Sequence, residues 1–365
     1  MGENFQRLLN LKNELVFREL EGILIGSLYN RRYLSGFQGS AGWLLISSQR
    51  ACLAVDFRYV EQAKLEARNF EILYIKGDIS DWFPALIKDL NIGRLGIESD
   101  HLSVSIYQSI CQIAQQTEPQ FSIIPVKDVV ESLRIVKDPD ELESVIRACA
   151  VADEAMLHIA SHLTEGMTEK QVAWELERFI RQHDGELLPF EIIVASGPNS
   201  ALPHAKPTDR LIEEGEPVTI DLGARYRGYC SDITRTFIIG KGDANFNKIH
   251  NIVLSAQLTG LSMIKGGINA SIVDGLVRGM IDKAGYGESF GHGLGHGIGL
   301  ETHEPPRIGT LSNDILQDNM VFTVEPGVYL PGWGGVRIED TVTIINGNLS
   351  TLTHASKNAH VLGRQ

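Results

Sequence analysis

Short apolar runs alternate with amphipathic stretches through the first third of the chain. Gly22–Ser27, Gly42–Ser47 and Ala51–Val55 have the compact apolar character of strands, and Glu71–Ile75, Arg94–Ile97 and Phe121–Val126 continue the series. Helical patterning falls between them, at Phe57–Arg68, Trp82–Leu90 and Ser103–Ala114. This interleaving predicts an α/β domain with a mixed sheet over residues 1–130. A boundary follows. Asp138-Pro139-Asp140-Glu141 sets an N-cap Asp before a Pro at the first helical position, with a Glu three residues after the cap. A long helix is predicted from there to about Leu163. Thr168-Glu169-Lys170-Gln171 is a second capping box; Val172, Leu176, Phe179 and Ile180 give its helix one apolar face, and Gly185 ends it. Beyond Glu191 strands dominate, interrupted by helical stretches at Asn245–Ile264 and Ser271–Ala284. Residues 131–365 therefore read as a second domain.

Two carboxylate pairs stand out in that second domain. Asp221 and Asp232 flank Leu222–Ser231, which contains the turn-prone Arg227-Gly228. A turn at Tyr226-Arg227 would pair positions 221 and 232 directly; a turn one residue later would make them diagonal but still on one face. Glu325 and Glu339 are centred on Gly332, in the loop Pro331–Gly335, between strands expected at Val321–Glu325 and Val336–Ile345. The two hairpins hint at an internal duplication within residues 190–345. Singly, each pair reads as an ordinary hairpin with solvated acids. Together they read differently, because Val218, Ile220, Val321, Phe322 and Val324 mark core strands, where unpaired charge is costly. Four converging acids persist only when protons or cations neutralise them, and two divalent metals would do so.

Between the pairs lies Gly291-His292-Gly293-Leu294-Gly295-His296-Gly297. It lacks the Lys-Ser of a phosphate loop, and its glycines disfavour a helical zinc motif. A strand-like or irregular segment is expected, with glycine letting the backbone approach the metals. His204, in Leu202-Pro203-His204-Ala205-Lys206-Pro207, and His303, in Thr302-His303-Glu304-Pro305-Pro306, occupy proline-bracketed loops suited to functional roles.

Composition narrows the classes. The net charge is -13, with 33 basic and 46 acidic residues; residues 1–130 hold 13 and 15 of these, so the acidity is concentrated in the half with the motifs. No basic patch argues for nucleic acid or an anionic membrane. Four scattered cysteines without CxxC spacing read as reduced structural thiols. A start without a signal-peptide pattern, and no apolar run of membrane length, make a cytoplasmic protein the expectation.

These residues resemble the pita-bread metallopeptidases: aminopeptidase P, prolidase, methionine aminopeptidase and the metal-free relative creatinase. Tyr33–Gly42 and Asp56-Phe57-Arg58-Tyr59 resemble the creatinase-type N-terminal domain of the Xaa-Pro peptidases, and Ala195–Arg210 resembles their bacterial subgroup. The resemblance implies an α/β creatinase-like domain over 1–130 and an α+β pita-bread catalytic domain over 131–365. It implies five metal ligands, Asp221, Asp232, His296, Glu325 and Glu339, and substrate or transition-state roles for His204, His292 and His303. Tyr329 and Arg337 would steady the ligands. A homodimer or larger assembly is also implied.

One imidazole and four carboxylates suit Mn²⁺ first, with Co²⁺ or Zn²⁺ as alternatives. The expected activity is hydrolysis of Xaa-Pro bonds, at the N-terminus of peptides or in dipeptides, by a hydroxide bridging two ions. Glu325 would relay its proton, His303 and His204 would stabilise the oxyanion, and His292 would lie beside the proline ring. Arg307 is the candidate cation for a dipeptide's terminal carboxylate. The alternatives are a non-catalytic peptide-binding protein on the same fold, or a methionine aminopeptidase, against which the N-terminal domain argues.

Overall fold

The structure is a computed structural model, and it describes residues 3–187 and 191–360. Two compact units divide the chain, Met1–Arg134 and Ile135–Gln365. Among the described residues no helix is long and apolar enough to cross a membrane.

The first unit runs α1 (Glu3–Phe17), β1 (Gly22–Ile25), α2 (Leu28–Ser35), β2 (Trp43–Ser47), β3 (Ala51–Val55), α3 (Val60–Glu66) and β4 (Glu71–Tyr74). It continues through α4 (Ile79–Asp89), β5 (Arg94–Glu98), α5 (Val104–Gln116), β6 (Ser122–Val126) and α6 (Glu131–Arg134). Its six strands form one sheet in the order β4-β3-β2-β1-β5-β6. β1–β2 and β2–β3 are antiparallel, while β1–β5, β3–β4 and β5–β6 are parallel, so the sheet is mixed as expected. Leu24, Leu45 and Leu95 from the sheet pack with Phe83 and Ile87 of α4 and Ile110 of α5.

The second unit repeats one plan, two helices followed by strands. Its first half holds α7 (Pro139–His162), α8 (Glu169–Gln182), β7 (Glu186–Leu187), β8 (Ile193–Ser196), β9 (Pro217–Leu222), β10 (Ala224–Tyr226), β11 (Tyr229–Cys230) and β12 (Ile233–Ile238). Its second half holds α9 (Ala244–Met263), α10 (Ala270–Lys283), β13 (Gly295–Gly297), β14 (Glu304–Ile308), β15 (Val321–Val324), β16 (Gly327–Leu330), β17 (Gly334–Arg337), β18 (Asp340–Ile345) and β19 (Asn348–Thr351). Both capping boxes form: Asp138 and Glu141 exchange hydrogen bonds at the start of α7, as do Thr168 and Gln171 at the start of α8.

Each half has its own core. Ala155, Ile159, Val172 and Leu176 of α7 and α8 bury against Val218, Ile220 and Ile233 of β9 and β12. Val253, Ala256, Val273 and Val277 of α9 and α10 do the same against Phe322, Val324, Val342 and Ile344 of β15 and β18. The helices thus cover one face of each strand pair. The repeat begins at the helices, well before the residue 190 at which the hairpins alone suggested it.

Candidate metal centre

Two hairpins place the four acids. In the first, the turn falls at Arg227-Gly228, both with positive φ (48° and 84°), the conformation of a tight type I′ connection. Tyr226 therefore faces Tyr229, and Asp221 faces Thr234. This is the later of the two registers, and it leaves Asp232 diagonal to Asp221 on the same face. The second hairpin keeps one register throughout: Val324 faces Asp340, and Gly327 faces Arg337. Glu325 and Glu339 sit opposite each other where the ladder breaks between those pairs. Their backbone N–H groups turn elsewhere, Glu325 to the carbonyl of Leu294 and Glu339 to the carbonyl of Thr234. The break stitches the second hairpin to β12 and to the glycine-rich segment, and so draws all four acids together. β16, which follows Pro326, was not among the expected strands.

His296 arrives on β13, wedged between β14 and β15. Its flanking glycines lie hard against neighbouring strands. A Cβ on Gly295 would lie 2.0 Å from the carbonyl oxygen of Thr323, and one on Gly297 would lie 2.1 Å from that of Pro305. Glycine here admits the neighbouring strands' backbone. The Nδ1–H of His296 donates to the carbonyl of Gly297 at 3.1 Å, which leaves Nε2 as the free lone pair. That Nε2 lies 3.4 Å from Glu325 Oε1 and 3.9 Å from Asp232 Oδ2.

Asp221, Asp232, His296, Glu325 and Glu339 all line one cavity of about 710 Å³, together with His204, His292, His303, Tyr329 and Arg337. Donor atoms of Asp232, His296 and Glu339 lie within 4.8 Å of one another. Arg337 donates to Asp221 Oδ2 at 2.6 Å and to Tyr329 Oη at 2.9 Å, and the Tyr329 hydroxyl in turn meets His292 Nε2 at 2.9 Å. The Nδ1–H of His292 donates to the carbonyl of Gly293 at 2.8 Å, so both of its ring nitrogens are engaged. His303 is exposed, its ring 4.2 Å from that of His296. His204 is exposed on its loop. Arg307 is exposed on β14, directly across the ladder from His296, and is not among the cavity's lining residues.

Two threonines were overlooked by sequence reasoning. The Thr234 hydroxyl donates to Glu339 Oε2 at 2.6 Å while accepting from Arg337 Nε at 3.2 Å. The Thr323 hydroxyl donates to Glu325 Oε1 at 3.2 Å while accepting from the His296 backbone at 3.1 Å. Threonine in a strand is too ordinary to be noticed, and only its alternation with the acids could have signalled this. Glu191 and Lys206, paired at 3.1 Å, also line the cavity.

The electrostatics of the acids are unbalanced. Burial pushes the Asp232 carboxyl well above the usual range, and Glu339, Asp221 and Glu325 push it further. Burial, then Glu325 and Asp221, do the same to Glu339. Burial raises Glu325 to about 8 against the opposing pull of Arg337. Burial, aided by His303, lowers His296 to about 4, so the imidazole is a neutral donor at neutral pH. Among the described residues, the buried Oδ1 atoms of Asp221 and Asp232 have no hydrogen-bond partner. A buried carboxylate oxygen without a donor is costly. Cations would satisfy both oxygens and relieve the repulsion, so this donor set fits divalent metal ions.

Residues 143–346 match the description "Metallopeptidase family M24", and residues 7–136 match "Creatinase/Prolidase N-terminal domain". The chain belongs to metallopeptidase family M24. A Xaa-Pro dipeptidase of Pyrococcus horikoshii is 37% identical over 358 residues, covering 98% of both chains. Among solved structures, a Xaa-Pro dipeptidase from Bacillus anthracis superposes with a TM-score of 0.94 at 41% identity, covering 99% of this chain and all of the other. An X-Pro aminopeptidase from Thermotoga maritima gives 0.86 at 38% identity, covering 95% and 99%. This M24 peptidase therefore has a creatinase-type α/β unit followed by a pita-bread α+β unit.

Proposed function

We propose that the protein is a dinuclear metal-dependent exopeptidase that hydrolyses Xaa-Pro bonds, with dipeptides as its main substrates. The observation that carries this reading is the pair of partnerless buried oxygens, on Asp221 and Asp232, inside a cavity shared with His296, Glu325 and Glu339. Those five side chains would hold two divalent ions, Mn²⁺ being the first choice for an oxygen-rich set. When bound, the ions would polarise the scissile carbonyl and make a water acidic enough to attack near neutral pH.

The protein's own groups have separable tasks. Glu325, steadied by Thr323, accepts the water's proton and passes it on to the leaving nitrogen. Asp221, held by Arg337, faces the substrate's α-amine and fixes the register at the chain end. His303 and His204, exposed at the cavity, donate N–H to the developing oxyanion. His292 has both nitrogens occupied, so it offers a ring wall to proline in place of a new hydrogen bond. The Xaa-Pro nitrogen carries no hydrogen, and a wall of this kind asks for none. Arg307 is our candidate for the dipeptide's terminal carboxylate, from its position across the ladder from His296.

The test is a panel of Xaa-Pro and Xaa-Pro-Yaa peptides, assayed after chelation and reconstitution with Mn²⁺, Co²⁺ or Zn²⁺. Cleavage restricted to proline-second peptides and dependent on added metal supports the proposal. Metal-independent cleavage, or none in any condition, contradicts it. Arg307→Ala should raise KM for dipeptides and spare tripeptides; an equal response to both removes Arg307 from the role.

A further inference from the structure

We propose that Glu169 is a positioning residue for the proposed reaction, acting through His204. The inference rests on the assignment of His204 to substrate in the reading above. Glu169 is the first residue of α8, far along the chain from the hairpins, and its side chain is completely buried (0% exposed). Its carboxylate gathers donors from both sides of the His204 loop. On the near side, Oε1 accepts from the Ser196 backbone N–H at 2.7 Å and from the Ser196 hydroxyl at 2.8 Å. The Asn199 amide reaches both oxygens, at 3.1 and 3.2 Å. On the far side, Oε2 accepts from the Thr208 backbone N–H at 2.9 Å and from its hydroxyl at 2.6 Å.

The hydroxyl directions are fixed independently. Arg210 Nη1 donates to Ser196 Oγ, and the Arg210 backbone N–H donates to Thr208 Oγ1, so each hydroxyl's hydrogen is left for Glu169. One carboxylate therefore clasps positions 196, 199 and 208, which bracket His204. The helix N-terminus favours a negative charge at this place, but a residue serving only the helix would have no need of three loop partners. The loop's other side is fitted to the second hairpin: Ser200 Oγ accepts from the Gly335 backbone N–H at 2.7 Å. A Cβ on Gly335 would lie 2.2 Å from the Ser200 carbonyl oxygen. The loop is thus held between α8 and β17, the strand that ends in Arg337, and His204 is set against the cavity by that grip.

Glu169→Gln keeps the size but replaces one acceptor oxygen with an NH₂ facing donors. In the full-length, Mn²⁺-reconstituted protein it should lower kcat/KM for Xaa-Pro peptides roughly 10- to 100-fold, the cost of a misplaced catalytic group. Metal stoichiometry should stay at the wild-type value. Amide hydrogen exchange should accelerate in peptides spanning 196–208 and stay unchanged in β9 and β12. A double-mutant cycle supplies the reading that a merely structural role would not give: in a His204→Ala background, Glu169→Gln should cause no further loss. Thr208→Val, which removes a single hydroxyl donor, should give a smaller change of the same kind and decides the matter if Glu169→Gln does not fold. Losses that multiply with His204→Ala, or unchanged exchange across 196–208, overturn the proposal. A wild-type protein that cleaves no Xaa-Pro peptide overturns the function reading instead, while the exchange data still decide whether Glu169 holds the loop.

Discussion

Buried acids meet opposite terms at two places in the molecule, one in each unit. In the first unit, Glu98 lies beneath the start of α2 with a donor for each oxygen: the Gly26 and Ser27 backbone N–H groups at 2.7 and 2.9 Å, and the Asn30 amide at 2.7 Å; burial still pushes its carboxyl up, but neither oxygen is left without a partner. Glu131 beside it meets His101 and Asn30, and these bonds outweigh burial and bring its carboxyl down to about 2. In the second unit, the four hairpin acids line one cavity, three of them are pushed upward, and among the described residues two of their oxygens find no donor. A burial that supplies its own donors builds a fold. A burial that withholds them leaves room for a ligand the polypeptide does not contain, and here the ligand's charge is dictated by the acids.

The strongest way to break this contrast is Asp232→Asn. Removing one charge from the uncompensated cluster should abolish binding of at least one ion and cut kcat/KM on the order of a thousandfold. Metal analysis alongside kinetics checks it; an active, fully loaded variant would put Asp232 on the same footing as Glu98.

Metal removal should expose the imbalance through pH. Glu325 is raised from 4.5 to about 8 in the folded chain, so its contribution to stability is fully present below 4.5 and is lost as pH rises to about 8. Chelated protein should therefore melt at a lower temperature at pH 8 than at pH 5, and Glu325→Gln should flatten that dependence. Titration with Mn²⁺ at pH 7 should release protons, seen as heats that vary with buffer ionisation enthalpy.

Thr234→Val should be milder. It leaves Glu339 Oε2 without its donor and Arg337 Nε without that acceptor, and should weaken metal affinity roughly 10- to 100-fold. An unchanged affinity would make the threonine a spectator. Smallest is Glu131→Gln in the self-sufficient unit. Its stabilisation is present above pH 4.5 and fades as pH falls towards 2, so the substitution should cost on the order of 1 kcal/mol at pH 7, given the group's partial exposure, and leave metal binding untouched. Denaturant melts at pH 7 and pH 3 check both signs.

The same contrast explains what could be read from the chain. The four hairpin acids were legible because they interrupt apolar strands, where acids have no ordinary reason to be; His296 was singled out from its glycine-rich segment by the family resemblance. Helices α7 and α8 were legible from their capping boxes. Helix α2 was not, because its buried face includes Asn30 and Arg31, and its start is satisfied by Glu98 from β5, some 70 positions away. β16 was hidden by Pro326 and Gly327, which read as the end of a strand while the register in fact continues past them. The first hairpin's register needed Arg227 in a positive-φ conformation, an uncommon choice for a side chain of that size. Glu169 and Thr234 escaped notice because their partners are distant in sequence, and Thr323, only two residues from Glu325, because a threonine in a strand is ordinary.

The most direct measurement is anomalous diffraction from crystals soaked in Mn²⁺ after chelation. Two peaks per chain, each within bonding distance of oxygens from both hairpins and one also of His296 Nε2, are the expected result. A cavity that takes up no ion, or ions bound only away from Asp221 and Asp232, would contradict the claim that these acids are buried in order to be neutralised by metal.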